Sequence, residues 1–310
     1  MSDGHKSVFG TGYQQTTVTA EPEGGFRFSR APGINNTEGF RTPPDGLPQR
    51  LQRLHTDPVR FIAPVDSSRE LTVWHTAGDV SFATLVRAEP QSEFVRAGIQ
   101  QLAAALRAFH QAPQLTSLDA TVEPPSLHRF SGWLRTGDGT RASRPWRVQL
   151  RSELGRRRWD QLQAATRALA PAARSQYPVH GWMSLGSVVA GVGPSSTGRQ
   201  LDVLTGTDLG WAPPELDIAW VLGELAEFAH RAVHFGYDPT PFEHLESLFS
   251  VAYGDGVDAG LVSAGKAVRV AIHSCDFANF VGWHEDLDVY PAIIAALLDH
   301  AGGLPSGTIP

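Results

Sequence analysis

Residues able to do chemistry concentrate in two short stretches. Pro178-Val179-His180-Gly181-Trp182 comes first; Asp208-Leu209-Gly210 begins 26 residues after Trp182 and runs on to Leu216-Asp217-Ile218-Ala219-Trp220. An imidazole can move protons or brace a loop by hydrogen bonding, whereas the indole of Trp182 is a donor only and accepts no proton. Asp208 is a candidate metal ligand, although Thr207-Asp208-Leu209-Gly210 also reads as a turn. Asp217 precedes an apolar helical run and is expected at the helix N-terminus, where a carboxylate meets free amides and the positive end of the dipole. His273, Asp276, His284, Glu285 and Asp286 carry metal-type donors, but their spacing matches no defined site. The sequence holds no Gly-Xaa-Ser-Xaa-Gly nucleophile motif and no full phosphate-binding P-loop, and Gly10-Thr11-Gly12 is too short for a glycine-rich nucleotide loop.

Together the two stretches resemble the catalytic centre of the aminoglycoside-phosphotransferase branch of the kinase-like fold. In that family a strand ends in His-Gly-Asp, the Asp orients the attacking hydroxyl, and an Asn five residues later helps to hold magnesium. Here Trp182 stands for the Asp and Ser187 for the Asn. The resemblance implies that His180 supports the catalytic loop rather than transferring protons. A second family segment carries a metal-binding Asp, a loop, and a helix opening in Asp-Leu-Ala, which Asp217-Ile218-Ala219 matches. The family's usual spacing back from that helix lands on Thr205, not an acid; Asp208 takes the metal role only with a shorter loop.

Lysine is the second signal. Lys6 and Lys266 are the only two in the chain, so the strand lysine that contacts nucleotide phosphates in kinases has no counterpart between them. Codon bias suffices to explain the scarcity, but its chemical consequence remains. Arg27 and Arg30, on the strand-like run Gly25–Arg30, are the candidate cofactor-binding cations, although a guanidinium fork does not replace a point charge.

The expected fold class is α+β, a bilobal protein-kinase-like architecture with a small β-rich N-lobe over residues 1–76 and a larger, mainly helical C-lobe over residues 77–310. Thr16–Thr19 and Phe26–Phe28 flank Glu23-Gly24-Gly25 as a hairpin. Residues 31–44, rich in Pro, Gly and Asn, form a loop, and its Ile34, Phe40 and Arg41 are the candidate partner-binding residues. Leu47, Leu51 and Leu54 keep helical spacing. Residues 59–62 and 71–74 read as two strands joined by a turn at Asp66-Ser67-Ser68, and Ala77-Gly78-Asp79 resembles the hinge. Val95, Ile99, Leu102, Leu106 and Phe109 mark a helix ending at His110, whereas residues 113–150 give no clear pattern. A helix through Trp159, Leu162 and Leu169 precedes the His180 strand, and Arg156-Arg157-Arg158 reads as its solvated face. A turn from Gly191 to Gly198 leads to a strand at 201–204. Helices follow at 217–234, 242–252 and 265–280, and a last one begins at Pro291 and stops at Gly302-Gly303.

A composition 41% hydrophobic and 19% charged supports a packed core. A net charge of −6 argues against nucleic acid as a bulk partner. One cysteine, Cys275, precludes an internal disulfide framework and fits a reducing, cytoplasmic setting, and no apolar run is long enough to span a membrane. The resemblance, with Trp182, Ser187 and the missing lysine at its key positions, implies a pseudokinase that binds a protein or peptide partner and needs no cofactor. The resemblance permits a setting in lanthipeptide or thioamitide maturation, beside a tailoring lyase and its precursor peptide. The alternative is an active phosphotransferase using ATP and magnesium on a peptide Ser or Thr or on a small-molecule hydroxyl.

Overall fold

A computed structural model describes residues 6–54, 57–116, 123–171, 177–192 and 199–301. The chain opens with β1 (Lys6–Gly10), β2 (Gln14–Ala20), β3 (Phe26–Pro32), α1 (Leu47–Gln52), β4 (Val59–Ile62), β5 (Asp66–Ser67), β6 (Thr72–Thr76) and β7 (Val80–Ser81). Then come α2 (Phe82–Ala88), α3 (Glu93–His110), α4 (Pro125–Thr136), α5 (Ser143–Ala168), β8 (Tyr177–Val179), β9 (Val188–Val192), β10 (Arg199–Leu204) and β11 (Gly210–Ala212). The last four are α6 (Glu215–His234), α7 (Thr240–Tyr253), α8 (Ala259–Phe280) and α9 (Tyr290–His300). By its internal contacts the chain divides into two discontinuous compact units. One comprises residues 1–120, 184–209 and 244–254; the other comprises residues 121–183, 210–243 and 255–310.

The first unit is strand-rich. One sheet runs β1-β2-β3-β6-β5 and the other β4-β10-β9-β7. The expected hairpin forms β2 and β3, closed by Glu21 N–H on Gly25 O at 3.0 Å. Alternation sends Phe28 inward with Val18, Trp74, Val189 and Leu204 to make the core. Two expectations are corrected here. Val59–Ile62 does not pair with the strand that follows it but lies parallel to β10, Leu201 facing Val59; Asp66–Ser67 is no turn but a short edge strand on β6. Parallel pairing across about 140 residues leaves no local trace, because the chain between the partners is free to do other things. Helix α3 forms where its apolar stripe predicted it, capped by Ser92 on Val95 N–H at 3.3 Å.

The second unit is mostly helical. Residues 113–150, unreadable in the sequence, include α4 and the first part of α5. Helix α5 breaks at Gly155, whose φ of 68° and ψ of 170° suit glycine alone, and this break scrambles the helical period across residues 143–168. The stretch Arg156–Arg158 lies on a solvated face as expected, and from it Arg157 and Arg158 reach Asp299 of α9 at 3.0 and 2.6 Å. Helices α6, α8 and α9 enclose a core containing Ile218, Val221, Leu225, Val268, Ile272 and Ile294. The turn residues 193–198 and the stop at Gly302-Gly303 lie outside the described residues. No helix of the described residues is long and apolar enough to cross a membrane.

Candidate functional site

In the helical unit, β8 and β11 pair so that Val179 faces Gly210, which ends one strand where the His180 segment begins. Asp217 is corrected from helix cap to clamp. The helix begins two residues earlier, at Glu215 after Pro214, and the fully buried Asp217 carboxylate accepts the backbone N–H of His180 at 2.6 Å and of Gly181 at 2.9 Å. Gly181 has a φ of 80°, the left-handed region that a side chain disfavours. Ser126 of α4 donates its hydroxyl to Gly181 O at 3.1 Å. His180 is itself buried. The backbone of this loop is thus held by two hydrogen bonds to the Asp217 carboxylate and one from the Ser126 hydroxyl, independent of what side chain follows.

That side chain is Trp182. Its ring lies 4.8 Å from that of Trp220 on α6, at 43° between the planes. Trp220 is buried and Trp182 partly so. The position is therefore packed as an aromatic pair, an arrangement worth about 0.5–1.5 kcal/mol beyond its burial.

In the strand-rich unit, the two candidate arginines separate. Arg27 points to the exposed side of β3, while Arg30 shares the inner side with Phe28 and lies over the Trp74 ring at 5.3 Å. A cavity of about 10 Å³, the scale of one water, is lined by Tyr13, Gln14, Arg30, Phe40, Thr72, Trp74, Thr207 and Asp208. Arg30 Nε is buried and makes no hydrogen bond among the described residues. Burial pulls the guanidinium below its ordinary pKa, and Asp208 and Tyr13 counter that pull. Asp208 also accepts the Thr207 hydroxyl at 2.9 Å. Thr205, where the family spacing falls, is fully buried; its hydroxyl donates to Val203 O at 3.0 Å and its carbonyl accepts Trp74 Nε1–H at 3.2 Å. Ser187 is buried in a 3-10 turn, its backbone N–H on Ser184 O at 2.8 Å.

The partner-loop expectation divides. Ile34 is 91% exposed, but Phe40 is 7% exposed and packs edge-on to Tyr13 at 6.4 Å between ring centres. Phe40 is core, because Gly39 turns the chain back and Phe40 N–H pairs with Arg69 O at 2.9 Å. Arg41 donates to Leu209 O at 3.3 Å, so it braces the Asp208 segment.

Sequence reading missed Asp202. It is 1% exposed and collects Arg60 Nε at 2.9 Å, Gln200 Nε2 at 2.7 Å and the Ala77 backbone N–H at 2.8 Å. It ties β4, β10 and the segment after β6 together. Its legible signal is an acid inside the apolar run Leu201–Leu204. The His273–Asp286 stretch forms no metal cluster among the described residues. Instead His273 sits on Glu227 at 3.0 Å, Asp276 accepts Arg129 at 3.0 Å, and His284 accepts the Asp286 N–H at 3.1 Å.

No protein-family model matches the sequence, and no curated protein sequence does. Solved structures do match. The chain superposes on the GDP and kanamycin complex of APH(2")-IIia with a TM-score of 0.53 at 12% identity, covering 97% of this chain and 94% of that one. It also superposes on a glucosamine kinase in complex with glucosamine, ADP and inorganic phosphate, with a TM-score of 0.50 at 13% identity, covering 97% of this chain and 79% of that one. The protein thus has the kinase-like fold of the aminoglycoside-phosphotransferase type.

Proposed function

We propose that this chain is a kinase-fold protein without phosphotransferase activity, a pseudokinase that acts by binding a protein or peptide partner and needs neither nucleotide nor magnesium. The observation that carries the reading is Trp182 packed on Trp220. Where the resembled family orients a hydroxyl with a carboxylate, this chain has an indole, which accepts no hydrogen bond from that hydroxyl and no proton. The residues at the other positions that the resemblance singles out do not fit a magnesium–nucleotide complex. Ser187 replaces the Asn, Thr205 stands where the acid is expected, and Arg30 is committed to Trp74 and Asp208 rather than presented as a mobile cation. Losing the orienting carboxylate alone removes several kcal/mol of transition-state stabilisation, on the order of what positioning contributes. On the resemblance, the setting of such a subunit is ribosomal-peptide maturation beside a tailoring lyase and its precursor peptide, in the cytoplasm.

One observation favours a second reading, an active ATP-dependent phosphotransferase acting on a peptide or small-molecule hydroxyl. The Asp217 clamp on the His180-Gly181 backbone is intact, and Asp208 retains a carboxylate beside the loop that follows β10. Thermal denaturation with millimolar ATP and magnesium separates the two, since a ligand that binds only the folded state stabilises it by its binding free energy. The expected result is little or no rise in melting temperature. A rise of several degrees that Asp208→Ala abolishes would establish the second reading. Trp182→Asp should fold and should still transfer no phosphate, as measured by product formation from labelled ATP; brisk turnover by that single variant would overturn the pseudokinase.

A further inference from the structure

The helical unit holds a second concavity, far from the Asp217 clamp. A cavity of about 450 Å³ opens between the C-terminal end of α6 and the start of α9, a volume typical of small-molecule sites. Its α6 wall begins at His230, 13 residues beyond Asp217, or about 20 Å along the helix axis. It is therefore not part of the catalytic-loop region. Val233, Phe235, Val289 and Ile293 make most of its lining apolar. Val233 and Phe235 remain 61% and 59% exposed, and apolar side chains left open beside a concavity mark ligand or partner sites.

The polar groups select the ligand's charge. Asp286 and Asp288 stand on the α9 side, and the only permanently charged cation among the lining residues, Arg231, is drawn over the Phe235 ring at 5.8 Å. Asp286 lies 3.6 Å from His284 Nδ1 and Asp288 accepts Gln149 Nε2–H at 3.3 Å, yet both side chains stay open to solvent, so two carboxylates stand against one engaged guanidinium, with His234 as a further lining imidazole. His230 adds an acceptor: its Nδ1 lies 2.8 Å from Ala226 O and must donate there, which leaves Nε2 of the neutral ring a lone pair. An apolar body with a single ammonium group matches this combination, because the body fills the apolar wall while the ammonium donates to Asp286, Asp288 and His230. We propose that this cavity is a binding site for an amphiphilic organic amine in its protonated form, separate from the catalytic-loop region.

Isothermal titration calorimetry of the whole chain with phenylbutylammonium, its alcohol analogue and phenylbutyrate tests the proposal. The ammonium should bind more tightly than either analogue, and raising the salt concentration should weaken it. Asp286→Asn with Asp288→Asn, both on the surface, should lower the ammonium affinity roughly fivefold or more and leave the alcohol unaffected. Ala292→Trp, at an exposed lining position, should fill the cavity and abolish binding of all three. The proposal is overturned if the ammonium does not bind, if phenylbutyrate or the alcohol binds as tightly, or if folded Ala292→Trp binds undiminished. Should that variant not fold, the double Asn variant decides alone: unchanged ammonium affinity sinks the idea.

Discussion

Asp217 accepts two backbone N–H groups from inside the protein, so removing its carboxylate strands both donors away from water. Each unsatisfied buried donor costs about 1–3 kcal/mol. Asp217→Ala should therefore lose about 2–5 kcal/mol in urea denaturation, and Asp217→Asn, which keeps one acceptor oxygen, distinctly less. Equal losses from both variants would mean that the charge and the second acceptor oxygen, rather than the shape of the side chain, hold the loop. Phe40 and Ile34, six residues apart, give the opposite contrast. Phe40→Ala should cost about 3–5 kcal/mol, as truncation of a buried aromatic does, whereas Ile34→Ala should stay within about 0.5 kcal/mol. A small loss at Phe40 would return it to the surface role expected from loop composition. That expectation failed because composition reports backbone preference, and Phe40 is buried by a turn at Gly39 that brings it against Tyr13.

At the scale of elements, α6, α8 and α9 are joined by a buried polar cluster. Glu227 of α6 pairs with Arg269 of α8, and Tyr290 at the start of α9 donates to it at 3.0 Å. Burial alone would raise the Glu227 carboxyl, but His273 and Arg269 outweigh it and hold the group well below the usual carboxylate range. A carboxylate depressed on folding contributes stability that is complete above its unfolded pKa of about 4.3 and is lost as pH falls toward the native value. Glu227→Gln should thus destabilise by about 3–5 kcal/mol near neutral pH, because the buried Arg269 loses its nearest partner and keeps only Glu224 at 3.8 Å. Denaturation across a pH series should then show that the mutant's deficit shrinks below about pH 4.3. A deficit independent of pH would assign the cluster to packing. The break in α5 makes a second test at this scale. A Cβ at Gly155 meets no atom within 4 Å, so Gly155→Ala isolates the backbone cost, about 1–3 kcal/mol.

For the molecule as a whole, Cys275 is a reporter. It is 2% exposed on α8, and burial pushes its thiol well above the ordinary range, with Asp276 adding to the shift. Thiolate is the reactive species, so maleimide labelling followed by mass spectrometry should find the folded chain unmodified and the urea-unfolded chain modified once. Labelling in native buffer at the unfolded rate would show that α8 opens locally.

Elements built from local contacts were legible in the residues themselves. The β2–β3 hairpin follows from a Gly-Gly turn between β-rich runs, and α3, α6 and α9 from apolar stripes, because both patterns depend on neighbours within a few positions. The likeness to the kinase-like fold rested on His180-Gly181 and Asp217-Ile218-Ala219, and the structure carries that fold. Other assignments required the tertiary structure. Arg27 and Arg30 sit three residues apart on one strand, and only the sheet decides which faces Trp74. Asp217 looked like a cap until β8 brought the His180 backbone to it, and Asp202 gained its role from Arg60 and Ala77, more than 120 positions away. A carboxylate's chemistry depends on the donors and charges within a few ångströms, and chain spacing alone does not specify which distant residues those will be.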